Sequence, residues 1–356
     1  MMRRVPAAPP AHNTQRPAPA LPSSSGRNGK FLRAALAALV VAACSILYYR
    51  ANYGRTLAAS LEAAPPAPRE PPCRAPPPER AAVNPRIGIV VLADTASEAR
   101  YVATQRYSQK SLDNKRAYAA HHGYELIVHE PAATLPAPWS KIDALLLHLH
   151  RFDWLLYLDG DALVANPAIC LESFLDGAYD VVMAEDWGGY NTGAFLVRNS
   201  TFSRELLRAM AAAATGKLDL ARREPWYAKT LPFEFEQRAL HYLTDTAAWR
   251  KWAARSPTKV PRVSADAAAR TRSHIKVVPQ CALNAYLVRP RLASGPSAKV
   301  AARAAYQPGD FVVHLAGHKA ANKAALLDYA LKHLARAPPQ GAPKCGRPGR
   351  RRARVT

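Results

Sequence analysis

Two aspartates one residue apart, Asp159 and Asp161, close the apolar run in "FDWLLYLDGDALVANP" (152–167). On an extended chain, positions two apart face the same side. Two carboxylates on one face repel each other unless a cation lies between them. Hard divalent ions such as Mn²⁺ and Mg²⁺ prefer oxygen ligands and readily bridge to a phosphate. Gly160, between the aspartates, has no side chain, so a ligand can approach the backbone closely. The plain alternative for an Asp-x-Asp pair is a solvated turn. Its place at a strand end weighs against that, because ligands of open α/β sheets bind at the carboxyl ends of strands. Another apolar run ends in a lone histidine, His314, with Gly317 permitting a tight turn after it. Alone, it reads equally as a satisfied core or surface histidine.

The elements that would position these groups are legible in the chain. "RIGIVVLA" is a short continuous apolar run of the kind buried parallel strands carry. A helical stretch, 108–122, ends at Gly123 and feeds a second strand, "YELIVHE". Residues 140–150 read as a helix, with "DWLLYLD" as the third strand. "YDVVMAED" and "TGAFLVRN" follow as strands, then "STFSRELLRAMAAAA" as a helix with a Ser or Thr cap. "HIKVVPQ" and "DFVVHLA" are two more strands, and 322–335 is a last helix. Strands alternating with helices predict an α/β fold with a mostly parallel central sheet flanked by helices.

The chain has 356 residues, of which 49% are apolar, so it can bury a sizeable core. Its formal net charge is +23, which suits an anionic partner. Much of that excess lies in the tails: no acid precedes Glu62, and the chain ends "KCGRPGRRRARVT". No nucleic-acid-binding module is recognisable, and nucleic acid is not an expected partner. Basic residues nearer the middle, Arg222, Arg223 and Lys251, would suit an acidic substrate.

Residues 1–30 are rich in Pro, Ala, Ser and Arg and read as a disordered basic cytosolic tail. Residues 31–49, "FLRAALAALVVAACSILYY", are expected to be a transmembrane signal anchor. The uncharged part is shorter than the roughly 20 residues a bilayer needs; Phe31 and Leu32 extend it if Arg33 snorkels to the interface. Basic residues precede the run, which places the bulk of the chain in the lumen. An organelle transit peptide is the competing reading of this Arg-rich, acid-free leader. Residues 50–85 are a Pro-rich stem, 86–335 the folded domain, and 336–356 a second disordered basic tail. The five cysteines, at 44, 73, 170, 281 and 345, lack zinc-site spacing. The last four could form two disulfides in an oxidising compartment.

An Asp-x-Asp pair after a strand is also the signature of haloacid-dehalogenase-like phosphatases, which use the first Asp, here Asp159, as nucleophile. There the motif strand lies near the start of the domain, whereas two strands precede it here. A lumenal carbohydrate-binding protein without catalysis is a third reading.

The ordered set "WSKIDALL", "FDWLLYLDGDALVANP", "EDWGGYNTGAFLVRNS", "EQRAL", "PQCALNAY" and "GDFVVHLAGHK" resembles glycosyltransferase family 34, over roughly 86–335. The family comprises Golgi α-galactosyl-, α-xylosyl- and α-mannosyltransferases. The resemblance implies a type II Golgi membrane protein with a single lumenal domain of the GT-A nucleotide-sugar-binding fold. It also implies retaining transfer to a glycan acceptor from UDP-galactose, UDP-xylose or GDP-mannose, with Mn²⁺ as cofactor and Mg²⁺ as the alternative. By the same resemblance, Asp159, Asp161 and His314 form the metal site, Asp161 and His314 as ligands and Asp159 also contacting the donor's ribose or sugar. Lys319 reaches the diphosphate and stabilises the leaving group. Asn191 hydrogen-bonds the sugar or acceptor, and Gly193 keeps backbone space for it. Glu236 and Gln237 lie near the reacting sugar, where Glu236 could stabilise positive charge at the anomeric carbon. Asp186 and Trp187 line the acceptor groove. Two positions depart from the family pattern: Gly160 stands where Ser is usual, and His318 where Cys is frequent. The first loses any hydroxyl contact there; the second removes a family disulfide and offers an extra ligand. Asn199-Ser200-Thr201 is an N-glycosylation sequon whose Ser and Thr are equally suited to cap the next helix.

Overall fold

A computed structural model describes residues 84–93, 102–131, 137–186, 188–214, 235–255, 263–287, 304–316 and 320–335. The expected anchor, almost all of the stem, both basic tails, Arg222, Arg223, Cys44, Cys73 and Cys345 lie outside them. Among the described residues, no helix is long and apolar enough to cross a membrane.

The run that ends in Asp159 forms β3 (Trp154–Leu158), buried at all five positions. It lies between β1 (Ile87–Leu92) and β6 (Gly189–Arg198). Its side chains alternate between two cores. Trp154, Leu156 and Leu158 pack with Ile87, Ile89 and Val91 on one face. Leu155 and Tyr157 pack with Val90 on the other. With both faces covered, the sequence shows a continuous apolar run in place of alternation. Each leucine buried this way contributes about 1.5–3 kcal/mol.

Helix α1 (Val102–His122) covers the first face through Leu112, Tyr118 and Ala119. The second face is covered by α2 (Ala137–His148) through Ile142 and Leu145, and by α3 (Thr201–Ala214) through Leu206 and Met210. Helix α1 begins earlier than position 108, because "VATQRY" favours helix without showing an apolar period. It stops at Gly123, whose φ of 79° lets two successive N–H groups reach the Ala119 carbonyl. At the start of α3, Ser200 Oγ accepts the Ser203 N–H, so the sequon serine does cap the helix.

The six-stranded sheet has the order β2-β1-β3-β6-β5-β7, with β2 spanning Glu125–His129, β5 Val181–Asp186 and β7 Ile275–Val278. Strands β1, β2 and β3 are parallel, β5 and β7 are parallel, and β6 runs against both its neighbours. The sheet is therefore mixed: mostly parallel, with one reversed strand. The reversal follows from the short link between Asp186 and Gly189, which can only make an antiparallel hairpin.

"DFVVHLA", expected to be a strand, forms one but does not join this sheet. Instead, β9 (Val312–His314) lies in a second sheet, between β4 (Ala162–Val164) and β8 (Ala285–Tyr286). That sheet packs on the last helix (Ala320–His333), with Leu163 and Val313 against Leu326 and Leu327. Among the described residues, four shorter α-helices lie between α3 and the last helix in chain order: α4 (Glu236–Leu243), α5 (Ala247–Ala253), α6 (Ala265–Ser273) and α7 (Gln280–Leu283), the last helix being α8. Cys170 and Cys281 are each disulfide-bonded.

Candidate active site

The second sheet carries His314 to the aspartates. In its register Ala162 pairs with His314, and His314 pairs with Tyr286. The backbone of Leu315 donates to the Asp161 carbonyl, fixing the β3–β4 link beside β9. That link is not extended: the Ala162 N–H bonds the Asp159 carbonyl at 3.1 Å, closing a turn. The two carboxylates converge through this turn, and not through the two-residue period of a strand. His314 Nε2 is 3.2 Å from Asp161 Oδ1 and 3.8 Å from Asp159 Oδ2. One ligand atom from each of the three residues can be chosen so that all lie within 4.8 Å of one another.

The imidazole is held in a defined orientation. Its Nδ1 donates to Asn284 Oδ1 at 2.6 Å, and Asn284 Nδ2 donates in turn to the Tyr286 hydroxyl at 3.3 Å. With Nδ1 carrying the proton, the Nε2 lone pair of the neutral ring faces the two carboxylates. An imidazole nitrogen and two carboxylates form a donor set that Mn²⁺ accepts, so these residues fit the implied metal. Burial raises the Asp161 pKa, but His314 in its protonated form, and then Lys323, outweigh it and hold the group well below the usual carboxylate range.

Gly193 has a reason other than room for a sugar. A Cβ there would lie 2.1 Å from His314 Cε1 and 2.7 Å from Nδ1, so the histidine ring occupies that space. Gly160 is unlike it. A Cβ at 160 would meet only the Leu92 carbonyl, at 3.9 Å, so the serine usual in relatives would fit.

On the opposite wall, Glu236 begins α4 and is 2% exposed. Its Oε1 accepts from Thr192 Oγ1 at 2.7 Å and pairs with Lys141 Nζ at 2.7 Å. Its Oε2 is buried, with no protein partner among the described residues. Gln237 Oε1 accepts the Thr192 N–H at 3.1 Å. A backbone donor must meet an acceptor, so the amide nitrogen of Gln237 is turned the other way. Asp186 Oδ2 accepts from Asn191 Nδ2 at 2.9 Å and from the Tyr286 hydroxyl at 2.5 Å. Burial, then the Asp186 charge, raises the Tyr286 pKa. A hydrogen-bonded chain thus runs from His314 through Asn284 and Tyr286 to Asp186 and Asn191.

These groups line one cleft of about 580 Å³, which holds Asp159, Gly160, Asp161, Asp186, Asn191, Gly193, Glu236, Gln237 and His314 together. Trp187, Lys319, Gly317 and His318 lie outside the described residues. Lys251 is exposed on α5 and is not among the cleft's lining residues.

Three lysines were not singled out from the sequence. Lys141, fully enclosed, contacts Asp159 Oδ1 at 3.1 Å, Glu236 Oε1, the Thr192 carbonyl at 3.1 Å and the Tyr157 ring. Burial lowers its pKa, but Asp159 and Glu236 together raise it further, so it remains an ammonium. Lys323 pairs with Asp161 Oδ2. Lys115 donates to Ser111 Oγ at 2.6 Å, and Ser111 Oγ donates to the Gly160 carbonyl at 2.5 Å, bracing the turn from behind. One signal was available for Lys141. Within "WSKIDALLL" it is a charged residue between buried Ser140 and Ile142, on a helix whose remaining buried positions, Trp139, Ala144 and Leu145, are apolar.

A family model described as the galactosyl transferase GMA12/MNN10 family matches residues 83–177 and 176–325. Among curated proteins, the probable alpha-1,6-mannosyltransferase MNN10 of Saccharomyces cerevisiae is 26% identical over 165 residues, covering 35% of this chain and 42% of that protein. Xyloglucan 6-xylosyltransferase 1 of Arabidopsis thaliana is 34% identical over 121 residues, covering 30% of this chain and 26% of that one. The chain thus matches less than half the length of these curated relatives. A solved glycosyltransferase involved in glycosylation of the major capsid of PBCV-1 aligns over 68% of this chain and 100% of its own, at 17% identity and a TM-score of 0.43.

Proposed function

The chain belongs to the galactosyl transferase GMA12/MNN10 family, and we propose that it is a retaining glycosyltransferase with a GT-A type domain. It moves a galactosyl, xylosyl or mannosyl group from a nucleotide-diphosphate sugar to a glycan acceptor. The observation that carries this reading is the convergence of Asp159, Asp161 and His314 in one cleft that also holds Glu236, Gln237, Asp186 and Asn191. Asp161 and His314 would hold Mn²⁺, with Asp159 at its border. When bound, the ion supplies positive charge against the departing diphosphate.

The chain's own groups divide the remaining work. Asn284 keeps the His314 lone pair aimed at the carboxylates. Glu236, anchored by Lys141 and Thr192, presents a carboxylate oxygen to a sugar that gains positive charge as the bond to the diphosphate breaks. Gln237 offers amide N–H donors to sugar hydroxyls, and Asp186 and Asn191 offer an acceptor and an amide. In the reaction, the bond from the anomeric carbon to the diphosphate oxygen breaks. A bond from that carbon to the acceptor hydroxyl oxygen forms on the same face. The hydroxyl proton passes to the departing diphosphate.

The phosphatase reading is not favoured. Asp159 Oδ1 accepts from Tyr157 at 3.0 Å and pairs with Lys141, and its Oδ2 lies 3.8 Å from His314 Nε2, so the carboxylate is built into the cluster with Asp161 and His314. The test is release of UDP or GDP from UDP-galactose, UDP-xylose and GDP-mannose by the purified full chain, with Mn²⁺ and with chelator. Release that needs both acceptor and metal is expected, together with loss of at least 10²-fold in Asp161→Ala or His314→Ala. Full activity in both variants would sink the metal assignment. Trapping of an aspartyl-phosphate on Asp159 would favour the phosphatase, and glycan binding without Mn²⁺ or nucleotide release would favour a plain carbohydrate-binding protein.

We further propose that residues 31–49 anchor the protein in the Golgi membrane with the catalytic domain lumenal. The basic leader and the apolar run support this. A fluorescent fusion of residues 1–85 that sorts to mitochondria or plastids would refute it.

A further inference from the structure

We infer that Lys323 couples binding of the divalent cation to binding of the donor's diphosphate, a role that rests on the metal and donor reading above. Lys323 lies on α8, lines the cleft, and places Nζ 2.5 Å from Asp161 Oδ2. The other oxygen of the same carboxylate, Oδ1, faces His314 Nε2 at 3.2 Å. One carboxylate therefore serves an ammonium on one side and, on the other, the imidazole with which it would share an ion. Asp161 is enclosed, with its side chain 10% exposed, while Lys323 is 26% exposed. The aspartate is fixed by the turn around it, and the lysine has the freedom to leave.

Two cations on one carboxylate repel each other strongly where water is scarce. A divalent ion arriving at Asp161 and His314 must displace the ammonium or bind beside it, and either lowers its affinity. Asp159 is no refuge for the displaced ammonium, because Lys141 already pairs with it at 3.1 Å. A diphosphate entering the cleft is. It gives Lys323 a new anionic partner on a flexible four-carbon stem, and the penalty on the cation disappears. Each ligand then binds more tightly when the other is present, and the enhancement is equal in both directions. The cleft is thereby tuned to take the metal together with the nucleotide sugar and to discriminate against the bare ion. The competing role is structural: the pair pins α8 to the β3–β4 turn and does nothing else.

Titration calorimetry and Mn²⁺ electron paramagnetic resonance on the detergent-purified full chain separate the two roles, with MnCl₂, UDP and GDP as probes. In the parent protein, UDP or GDP is expected to tighten Mn²⁺ binding, with an enhancement within the roughly 5–150-fold typical of coupled sites. In Lys323→Met, Mn²⁺ alone should bind about tenfold more tightly. The nucleotide alone should bind more weakly, and the enhancement should fall by about tenfold. Lys323→Arg, which keeps the charge, should keep most of the enhancement. Unchanged Mn²⁺ affinity and unchanged enhancement in Lys323→Met would overturn the coupling role, and so would a loss of stability alone. If the parent binds no Mn²⁺ even with both nucleotides present, the metal reading itself fails and the role of Lys323 falls with it.

Discussion

Lys141→Met removes one charge from the interior while nearly preserving side-chain length, and it tests how the catalytic wall is held. The ammonium joins two carboxylates of unequal exposure. Lys141 and Glu236 are both 3% exposed, whereas Asp159 is 28% exposed. Breaking a buried ion pair by removing one partner costs about 3–5 kcal/mol, because the remaining charge stays in the interior without compensation. Nearly all of that cost falls on Glu236, since water reaches Asp159 and screens it. The ammonium's folded pKa lies above its unfolded value, so its contribution is present below the unfolded value and lost only as pH rises through the folded one. Up to about pH 9 the lysine's own contribution is therefore constant. The variant differs, because acid protonates the carboxylate left behind and relieves its burial.

The assay is urea unfolding followed by tryptophan fluorescence at about pH 8 and pH 5, on the parent, Lys141→Met, Glu236→Gln and the double variant. Lys141→Met is expected to lose about 3–5 kcal/mol at the higher pH and distinctly less at the lower. The double variant should lose less than the sum of the singles by at least about 1 kcal/mol. A loss under about 1 kcal/mol, equal losses at both pH values, or strict additivity would refute the view that this ion pair anchors Glu236.

Asn284→Leu leaves the His314 ring free to turn, and Mn²⁺ affinity measured by paramagnetic resonance should fall about 10–100-fold with the fold intact. Gly193→Ala should unfold the site or abolish activity, because its Cβ would meet the histidine ring, while Gly160→Ala should change stability by no more than about 0.5 kcal/mol in a thermal melt. Tyr286→Phe strips the hydroxyl from Asp186, Asn191 and Asn284 and should cost about 1–3 kcal/mol in the same assay. Burial lowers the Lys115 pKa to about 8, although Asp161 and Asp159 act to raise it. The unfolded chain therefore holds this proton to higher pH than the folded chain does, so stability should rise between about pH 8 and pH 10, and Lys115→Met should flatten that rise.

The strands were legible because their signal is local. Core strands buried on both faces must be apolar where they are buried, and β1, β3 and the first four residues of β5 announce themselves by composition alone. The reversed direction of β6 was not visible in its residues; it was implicit in the shortness of the Asp186–Gly189 link. The transfer of β9 to a separate sheet left no local mark, since "FVVH" looks the same whichever neighbour it pairs with. Sheet membership is a long-range property: Val312 pairs with Val164 across most of the domain.

The site divides along the same line. Asp159, Asp161 and His314 stood out because a charge or an imidazole at the end of an apolar run is conspicuous, whereas Glu236 was reached only through the resemblance of the Glu236-Gln237 pair to the family pattern. Lys141, Lys115 and Lys323 did not, because lysine is common on helices and usually solvated. Among the described residues, four acids line one cleft, and the mutual repulsion of three of them, Asp159, Asp161 and Glu236, requires cations from the protein whenever no ligand supplies them. The fold meets that requirement with lysines drawn from different helices, α1, α2 and α8. A sequence dense in acids at one strand end therefore carries a second, weaker message: some helix packed against it must bury a lysine. For Lys141 that message could have been read, since a lysine set among the apolar residues of "WSKIDALLL" needs an anionic partner once that face is buried. For Lys323 it could not, because its partner lies 162 positions away and its helix face is half solvent-facing.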